Sequence, residues 1–315
     1  MSKELAIATY GLTKQFDRRI AVNAIDLQIT EGEVYGLIGA NGAGKTTLIR
    51  MLAAIEEPTI GEIYIHGDRL LRNDTNARLK KHLGYLPDDY PVYEDLTILT
   101  YLDYFSRLYG LKQPYRQRRI NEVLELVGLV DRRNSAISTL SRGMKQRLSL
   151  ARTIVHEPIV LLLDEPVSGL DPLSRMQFRE TIKTLQEAGM TILISSHILS
   201  DLAELCTSIG VMEYGFLLES APLKDIYNRF SRPHLLITAL DNLERLETEL
   251  KNCLWVESWE MLRDTGSVKV KFSGTKEEGA EFLKTLIAAG IAIAQFNYTQ
   301  EDLETLFSTL TATNA

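Results

Sequence analysis

A glycine-rich loop between a strand and a helix constrains this chain more than any other feature of its sequence. Residues 33–39 (EVYGLIG) have the pattern of a short apolar strand, residues 39–46 (GANGAGKT) match G-x-x-x-x-G-K-[ST], and residues 44–54 have the pattern of a helix. Glycines let backbone N–H groups approach a phosphate, and the positive end of the following helix attracts the same anion. The sequence therefore predicts a loop that binds the phosphates of a nucleotide.

Two side chains of this loop have predicted chemical roles. Lys45 is expected to reach the β- and γ-phosphates as a point charge that also assists catalysis, and the Thr46 hydroxyl is expected to bind Mg²⁺. The candidate nucleotide-binding residues of the loop are Gly39, Asn41, Gly42, Gly44, Lys45, Thr46 and Thr47.

A pair of acids follows a second apolar strand, at residues 159–165 (IVLLLDE). Ligands of open α/β sheets bind at the carboxyl ends of parallel strands, where these acids would lie. Asp164 is predicted to hold Mg²⁺, directly or through water, and Glu165 to polarise the attacking water. Two solvated carboxylates are the alternative, but the presence of the phosphate loop in the same chain favours the catalytic interpretation.

Composition sets limits on the class of protein. The chain has 315 residues, a net charge of −7 and a pI near 5.4, which argue against a general nucleic-acid binder. The two cysteines, Cys206 and Cys253, have neither a CxxC partner nor metal-type spacing, so free thiols are expected. No apolar run approaches the ~20 residues that a bilayer crossing requires, so any membrane spans are expected on another chain.

The chain is predicted to contain two domains, because its character changes near residues 230–233. Residues 1–230 have a mixed α/β pattern with a helix-rich stretch at about 90–155. Residues 231–315 have the order βαββαβ followed by a closing helix at 301–310, which is the ferredoxin-like pattern of a small α+β domain.

Three further motifs identify a family. Residues 140–147 (LSRGMKQR), 168–172 (SGLDP) and 195–197 (SSH) resemble the signature, the D-loop and the switch histidine of ATP-binding-cassette (ABC) ATPases, and they occur in the order of that family. The resemblance covers roughly residues 5–225. It implies a P-loop NTPase cassette of α/β class, with a mixed sheet core and a helical subdomain, that binds ATP and Mg²⁺.

The resemblance also implies a mechanism. Two cassettes would stack head to tail, with each ATP between the Lys45 loop of one chain and Ser141 and Gly143 of the other. His197 would contact the γ-phosphate and position the water, and Asp171 would bridge the two chains. Ser141 could also be a helix N-cap in its own chain, and both roles can coexist. Asp171 could instead be a turn acid, and His197 an ordinary exposed histidine.

Some positions need separate treatment or depart from the family pattern. Phe16 lies where the family has an aromatic residue that stacks on adenine, although it could simply pack in the core. Asp88 replaces the usual glutamine; it could bind Mg²⁺ or sense the γ-phosphate, or be a solvated loop acid. Arg142 and Met144 replace a glycine and a glutamine of the signature.

The resemblance further implies a separate transmembrane permease as partner, and a second cassette in a homodimer or a heterodimer. Tyr90, Pro91, Tyr93 and residues 96–109 are rich in aromatic and apolar side chains and could receive the permease, or could fill the core of the helical stretch. Residues 300–307 (QEDLETLF) resemble the closing helix of multidrug, polysaccharide and antibiotic exporter ATPases, which favours export over import. We therefore expect a cytoplasmic subunit, peripheral on the inner face of the membrane.

Two other functions stay open at this point. A soluble cassette ATPase acting on ribosomes or DNA would carry two cassettes or a long coiled coil, whereas only about 100 residues without sustained heptads separate Lys45 from Ser141. A regulatory module that responds to ATP without turnover is opposed by Glu165 and His197, but Asp88 keeps it open.

Overall fold

A computed structural model describes residues 4–71, 77–89, 91–198, 202, 204–230, 234–262 and 267–299. The chain divides into two units, Met1–Lys224 and Asp225–Ala315, and each is described by itself. The predicted closing helix at 301–310, the motif at 300–307 and Tyr90 lie outside the described residues.

In chain order, the first unit contains β1 Leu5–Phe16, β2 Arg19–Thr30, β3 Val34–Ile38, α1 Lys45–Leu52, β4 Ile60–Ile65, β5 Asp68–Arg69, α2 Ala77–Lys80, β6 Leu83–Leu86, α3 Ile98–Leu108, α4 Tyr115–Leu126, α5 Arg142–Ile154, β7 Val160–Leu163, α6 Pro172–Glu187, β8 Thr191–Ser196, β9 Ser208–Glu213 and β10 Phe216–Pro222. Helix α7 comprises Leu223–Phe230, and the division between Lys224 and Asp225 falls within it, whereas the sequence predicted a boundary after residue 230.

The central sheet of the first unit has the strand order β10-β9-β3-β8-β7-β6. Its neighbouring strands are parallel, apart from the antiparallel pair β9 and β10. Every residue of β3, β7 and β8 is buried, as expected for parallel strands that are covered on both faces. Since parallel strands end at one edge of a sheet, the loops that follow β3, β6, β7 and β8 meet at the same edge.

A second sheet of this unit has the order β2-β1-β4-β5 and is antiparallel throughout. The sequence pattern did not predict its strands, since register shifts between Thr9 and Leu12 interrupt the alternation of β1. The hairpin of β1 and β2 sets Phe16 directly opposite Arg19. Both residues therefore lie at the turn end of this hairpin.

The helix-rich stretch was predicted closely, since α3, α4 and α5 match the apolar spacing of the sequence. The Thr97 hydroxyl caps α3 by accepting a hydrogen bond from Thr100 N at 3.2 Å. The Ser141 hydroxyl caps α5 by accepting one from Met144 N at 3.3 Å. Each cap satisfies a backbone N–H that the first turn leaves without a partner.

The second unit is built from β11 His234–Ala239, α8 Leu243–Asn252, β12 Val256–Leu262, β13 Ser267–Phe272, α9 Lys276–Ala288 and β14 Ile293–Thr299. The sheet order is β12-β13-β11-β14, with all pairs antiparallel. This is the connectivity that the βαββαβ pattern predicts. A core of its own, which includes Leu235, Val270 and Phe282, lies between the sheet and the two helices.

Across the part of the chain with described coordinates, no helix combines the length and the apolar character that crossing a bilayer demands. Cys206 and Cys253 are both free, as the sequence predicted.

Candidate active site

The loop after β3 has a backbone conformation that requires glycine at several positions. Gly42 and Gly44 have φ values of 85° and 107°, in the left-handed region that favours glycine. A Cβ atom at Gly44 would lie 2.3 Å from the carbonyl oxygen of Ala21, and one at Gly39 would lie 2.3 Å from that of Met212. Backbone approaches this close exclude any side chain, so packing requires glycine at both positions, and the positive φ requires it at Gly44 as well.

Lys45 is the first residue of α1 and is only 5% exposed. Its ammonium group donates to the carbonyl oxygens of Gly39 at 2.6 Å and Ala40 at 3.3 Å. The same Nζ atom lies 3.2 Å from Oε1 of Glu165. The cation is thus held inside its own loop and directed at the acid that follows β7.

Asp164, at the end of β7, is 1% exposed. Burial raises the pKa of this carboxyl group, while hydrogen bonds from Ser195 and Thr46 act in the opposite direction. The Ser195 hydroxyl, near the end of β8, donates to Asp164 Oδ1 at 2.8 Å and accepts from the backbone N–H of Glu165 at 2.9 Å. One serine therefore fixes both acids, a role that the sequence analysis missed although Ser195 directly precedes the SH pair at the strand end.

Glu165 has a φ of 47°, which is uncommon for a residue with a side chain. Its Oε2 atom lies 2.7 Å from His197 Nδ1 and accepts a hydrogen bond from the His197 backbone N–H at 3.3 Å. The two carboxylate oxygens of Glu165 are thus divided between Lys45 and His197. The sequence predicted all three residues for catalysis, and the fold brings them together.

Lys45 and Glu165 line a cleft of about 430 Å³ at the carboxyl edge of the sheet, whereas Asp164 and His197 contact lining residues from outside it. Its lining residues are Phe16, Arg19, Ala21, Asn41, Gly42, Ala43, Gly44, Lys45, Thr46, Thr47, Asp88 and Glu165. Phe16 is 45% exposed, which contradicts the alternative that it packs in the core. Arg19 was missed by the sequence analysis, because only the pairing of β1 with β2 carries it to the phosphate loop.

Ser141, Gly143 and Asp171 do not line this cleft. They lie at the N-termini of α5 and α6, where Ser141 and Asp171 are exposed N-caps and Gly143 is buried. Asp171 accepts from Ser174 N at 3.0 Å and from Ser174 Oγ at 2.6 Å. A Cβ atom at Gly143 would lie 2.2 Å from that hydroxyl, so the two helix starts are in direct contact.

Comparison with known proteins identifies the family to which these motifs belong. The family model for ABC transporters matches residues 22–168. The chain is 34% identical to the uncharacterized ABC transporter ATP-binding protein YcbN of Bacillus subtilis (strain 168) over 303 residues, which cover 96% of this chain and 95% of the relative. This chain belongs to the ABC transporter family. It is therefore an ATP-binding subunit with ATPase activity that is coupled to transport.

A second relative of this ABC subunit carries a name that states a cargo. The bacitracin transport ATP-binding protein BcrA of Bacillus licheniformis is 32% identical over 302 residues, which cover 96% of this chain and 95% of the relative. Among solved structures, cbiO1 from Clostridium perfringens, part of the ABC transporter complex cbiONQ, superposes with a TM-score of 0.67 at 24% identity. That superposition covers 72% of this chain and 92% of cbiO1, and it supports the cassette fold.

Proposed function

We propose that this ABC subunit drives a separate membrane permease that exports amphiphilic compounds of the peptide-antibiotic type, through ATP-dependent pairing of two cassettes. One observation supports the pairing: the phosphate loop, Lys45 and Glu165 line one cleft, while Ser141, Gly143 and Asp171 lie elsewhere in the same chain. A second chain is the simplest way to bring the two surfaces together around one ATP.

In the cleft, the backbone N–H groups of residues 41–46 and the Lys45 ammonium group would bind the β- and γ-phosphates. Phe16 is exposed at the rim and can stack on the adenine. Arg19 adds a cation to the same lining, next to Gly42. The cleft lining therefore combines an aromatic ring with the positive charges of Arg19 and Lys45.

The residues present fit a magnesium ion that is shared with the nucleotide. Asp164 and Thr46 supply the hard oxygen atoms that Mg²⁺ prefers, and Asp88 lines the same cleft. Among the described residues, no group of three or more His, Cys, Asp or Glu side chains is suited to holding a metal ion, so phosphate oxygens would have to complete the coordination. Bound Mg²⁺ would neutralise charge on the phosphates.

Glu165 is the base in this proposal. The Ser195 hydroxyl accepts from its backbone N–H, and its carboxylate contacts Lys45 and His197. A phosphate that draws Lys45 away would free Oε1 to contact the attacking water. His197, at the end of β8, is well located to donate a hydrogen bond to a γ-phosphate oxygen. Glu165 accepts the proton of the water as the water attacks.

The surface formed by Ser141, Gly143 and Asp171 has the properties of a γ-phosphate site for the partner cassette. It is the N-terminus of α5, where backbone N–H groups and the helix dipole favour an anion. Gly143 is buried against Ser174, which leaves no space for a side chain, so its contribution would be its backbone N–H. Asp171, at the neighbouring helix start, would contact the partner chain.

The permease is proposed to dock on the exposed part of an aromatic cluster at the helical stretch. Tyr93 stacks on Phe105 with ring centroids 6.2 Å apart, and Tyr104 makes an edge contact with the same ring at 5.3 Å. Tyr93, Tyr104 and Leu108 are exposed, whereas Tyr101 is fully buried. Exposed aromatic side chains that rest on buried aromatic rings are typical of a protein-binding surface. This docking would hold the subunit at the cytoplasmic face of the membrane.

Size-exclusion chromatography with light scattering tests the proposed pairing. Glu165→Gln with ATP and Mg²⁺ should elute as a dimer, and Glu165→Gln/Ser141→Ala should require a higher protein concentration to do so. Ser138→Ala, also just before α5, is the matched control. A Glu165→Gln protein that stays monomeric at all concentrations of ATP would contradict the sandwich.

The export direction needs a cellular test. Cells that lack the chain should accumulate more of a labelled peptide antibiotic such as bacitracin, and wild type but not Glu165→Gln should restore the low level. Equal accumulation in all three strains would contradict export of this cargo class while leaving the ATPase assignment intact.

A further inference from the structure

We infer that Arg142 is a positioning residue that holds residues 168–171 of its own chain in the conformation in which Asp171 and Ser141 are presented together. Arg142 is the position at which the signature of this chain departs from the usual glycine. The consequence for dimerisation rests on the proposed function, but the structural effect within one chain does not.

The contact is direct. The Nη2 atom of Arg142 donates to the carbonyl oxygen of Ser168 at 3.0 Å. The guanidinium group also covers Gly169, since a Cβ atom at that glycine would lie 2.5 Å from Nη1 and 2.7 Å from Cζ. Gly169 has a φ of 66°, so the loop turns sharply where Arg142 rests on it. A glycine at position 142 could make neither contact.

Helix stability does not explain an arginine at this position. Arg142 is the first residue of α5, directly after the N-cap Ser141, and a cation near the positive end of a helix is unfavourable. The N-terminus of α5 offers no acceptor for the guanidinium group. The carbonyl oxygen of Ser168 provides one. The contact with residues 168–169, outside the helix, therefore explains the arginine at this position better than helix stability does.

The same loop is held at its other end. Arg175 Nε donates to the carbonyl oxygen of Leu170 at 3.0 Å. Asp171 then caps α6 through Ser174, which packs against Gly143 of α5. Residues 168–171 are thus held by Arg142 at one end and by Arg175 at the other. The start of α5 contacts the start of α6 and the loop before it, through Gly143 with Ser174 and through Arg142 with Ser168.

Native-state hydrogen exchange measures this positioning in the isolated chain. The amides of Ser168 and Leu170 donate to Glu165 O and Val167 O within the turn, so their exchange reports its opening. In Arg142→Ala we expect their exchange to rise about fivefold or more, the effect of losing a hydrogen bond from a charged group. Arg142→Lys should give an intermediate rise, since lysine can donate to Ser168 O but cannot cover Gly169 as a plane. Unchanged exchange in Arg142→Ala overturns the inference.

ATPase measurements test whether this positioning matters for the pairing of two cassettes. Arg142→Ala should raise the protein concentration for half-maximal ATPase activity and leave the affinity of the monomer for ATP unchanged. Arg118→Ala, an exposed arginine on α4, is the matched control. Loss of activity in Arg142→Ala with unchanged exchange at 168–170 would mean that Arg142 acts on the nucleotide directly, and would also overturn the inference. A wild type that never dimerises would contradict the proposed function, while the exchange result would still decide the role of Arg142.

Discussion

Lys45 Nζ lies 3.2 Å from Glu165 Oε1, so the cation of the phosphate loop and the proposed base form an ion pair across the cleft. Lys45 is 5% exposed, and both partners have further contacts to the loop or to His197. An incoming γ-phosphate would compete with Glu165 for the same ammonium group. Binding of ATP and release of the base are therefore coupled through this pair.

The first prediction concerns this competition. Glu165→Gln removes the charge that holds Lys45, so we expect the affinity for ATP with Mg²⁺ to rise severalfold, while ATPase activity falls about 10²- to 10⁴-fold with loss of the base. Equilibrium binding of a fluorescent ATP analogue measures the affinity. Glu122→Gln, which removes an acid on α4, should change neither quantity; a lowered affinity in Glu165→Gln would show that the ion pair does not oppose binding.

The second prediction concerns His197. Its imidazole contacts Glu165 Oε2 at 2.7 Å, so His197→Ala removes an orienting contact of the proposed base and, in the proposed mechanism, a donor to the γ-phosphate. We expect kcat to fall about 10²-fold with little change in ATP affinity, since the contact matters most in the transition state. His82→Ala, at the start of the neighbouring strand β6, serves as the control. Normal turnover by His197→Ala would remove this residue from the mechanism.

The third prediction follows from the burial of Asp164. Burial raises the pKa of this group above its ordinary value of 3.8, so the folded chain holds the proton more tightly than the unfolded chain does. The contribution of Asp164 to the free energy of unfolding therefore falls as the pH rises from the pKa of the unfolded chain, 3.8, through the raised pKa of the folded chain. Above the raised pKa, the full cost of burying the carboxylate is present.

Asp164→Asn should accordingly unfold at a higher temperature than wild type at pH 7, by roughly 2–4 °C for a gain of about 1 kcal/mol in a unit of this size. The difference should shrink as pH is lowered towards 3.8. The same variant should lose Mg²⁺-dependent ATP binding. Thermal unfolding without nucleotide measures the effect on stability, and Asp95→Asn, at an exposed acid, is the control. An Asp164→Asn protein that is less stable than wild type at pH 7 would contradict the cost assigned to burying the carboxylate.

The fourth prediction concerns Phe16, whose ring is exposed at the cleft with the Lys14 ammonium group 4.8 Å from its centroid. If the ring stacks on adenine, Phe16→Ala should weaken ATP binding about tenfold or more, and Phe16→Trp should preserve it. Titrations with ATP and with inorganic triphosphate separate the base from the phosphates. An equal loss of affinity for both ligands would show that Phe16 does not recognise the base.

The places of the candidate catalytic residues in the fold could be predicted from the sequence, because their motifs are continuous in the chain. Residues 39–46, the pair Asp164–Glu165 and His197 each directly follow a buried strand, and a parallel sheet brings such positions to one edge. The small second unit was predictable for a similar reason, since its strands and helices alternate with clear apolar periods.

What the sequence did not predict depends on pairing between distant segments. Arg19 reaches the cleft only through the hairpin of β1 and β2, and the bulges of β1 hide that hairpin from a periodicity argument. Ser195 is one polar residue in a strand end, and nothing local indicates that it bonds both Asp164 and Glu165. The contact of Arg142 with Ser168 joins two motifs that the sequence analysis treated separately.

The most direct test of the account is equilibrium ATP binding by Lys45→Ala, measured with and without Mg²⁺ beside wild type. Lys45 supplies the charge that the loop directs at the phosphates, so we predict that wild type binds ATP in a Mg²⁺-dependent manner and that Lys45→Ala loses at least about 100-fold in affinity, with its fold intact by circular dichroism. Lys14→Ala, which removes a cation beside Phe16 but outside the cleft lining, should retain most of the affinity. Binding by Lys45→Ala as tight as that of wild type would contradict the account.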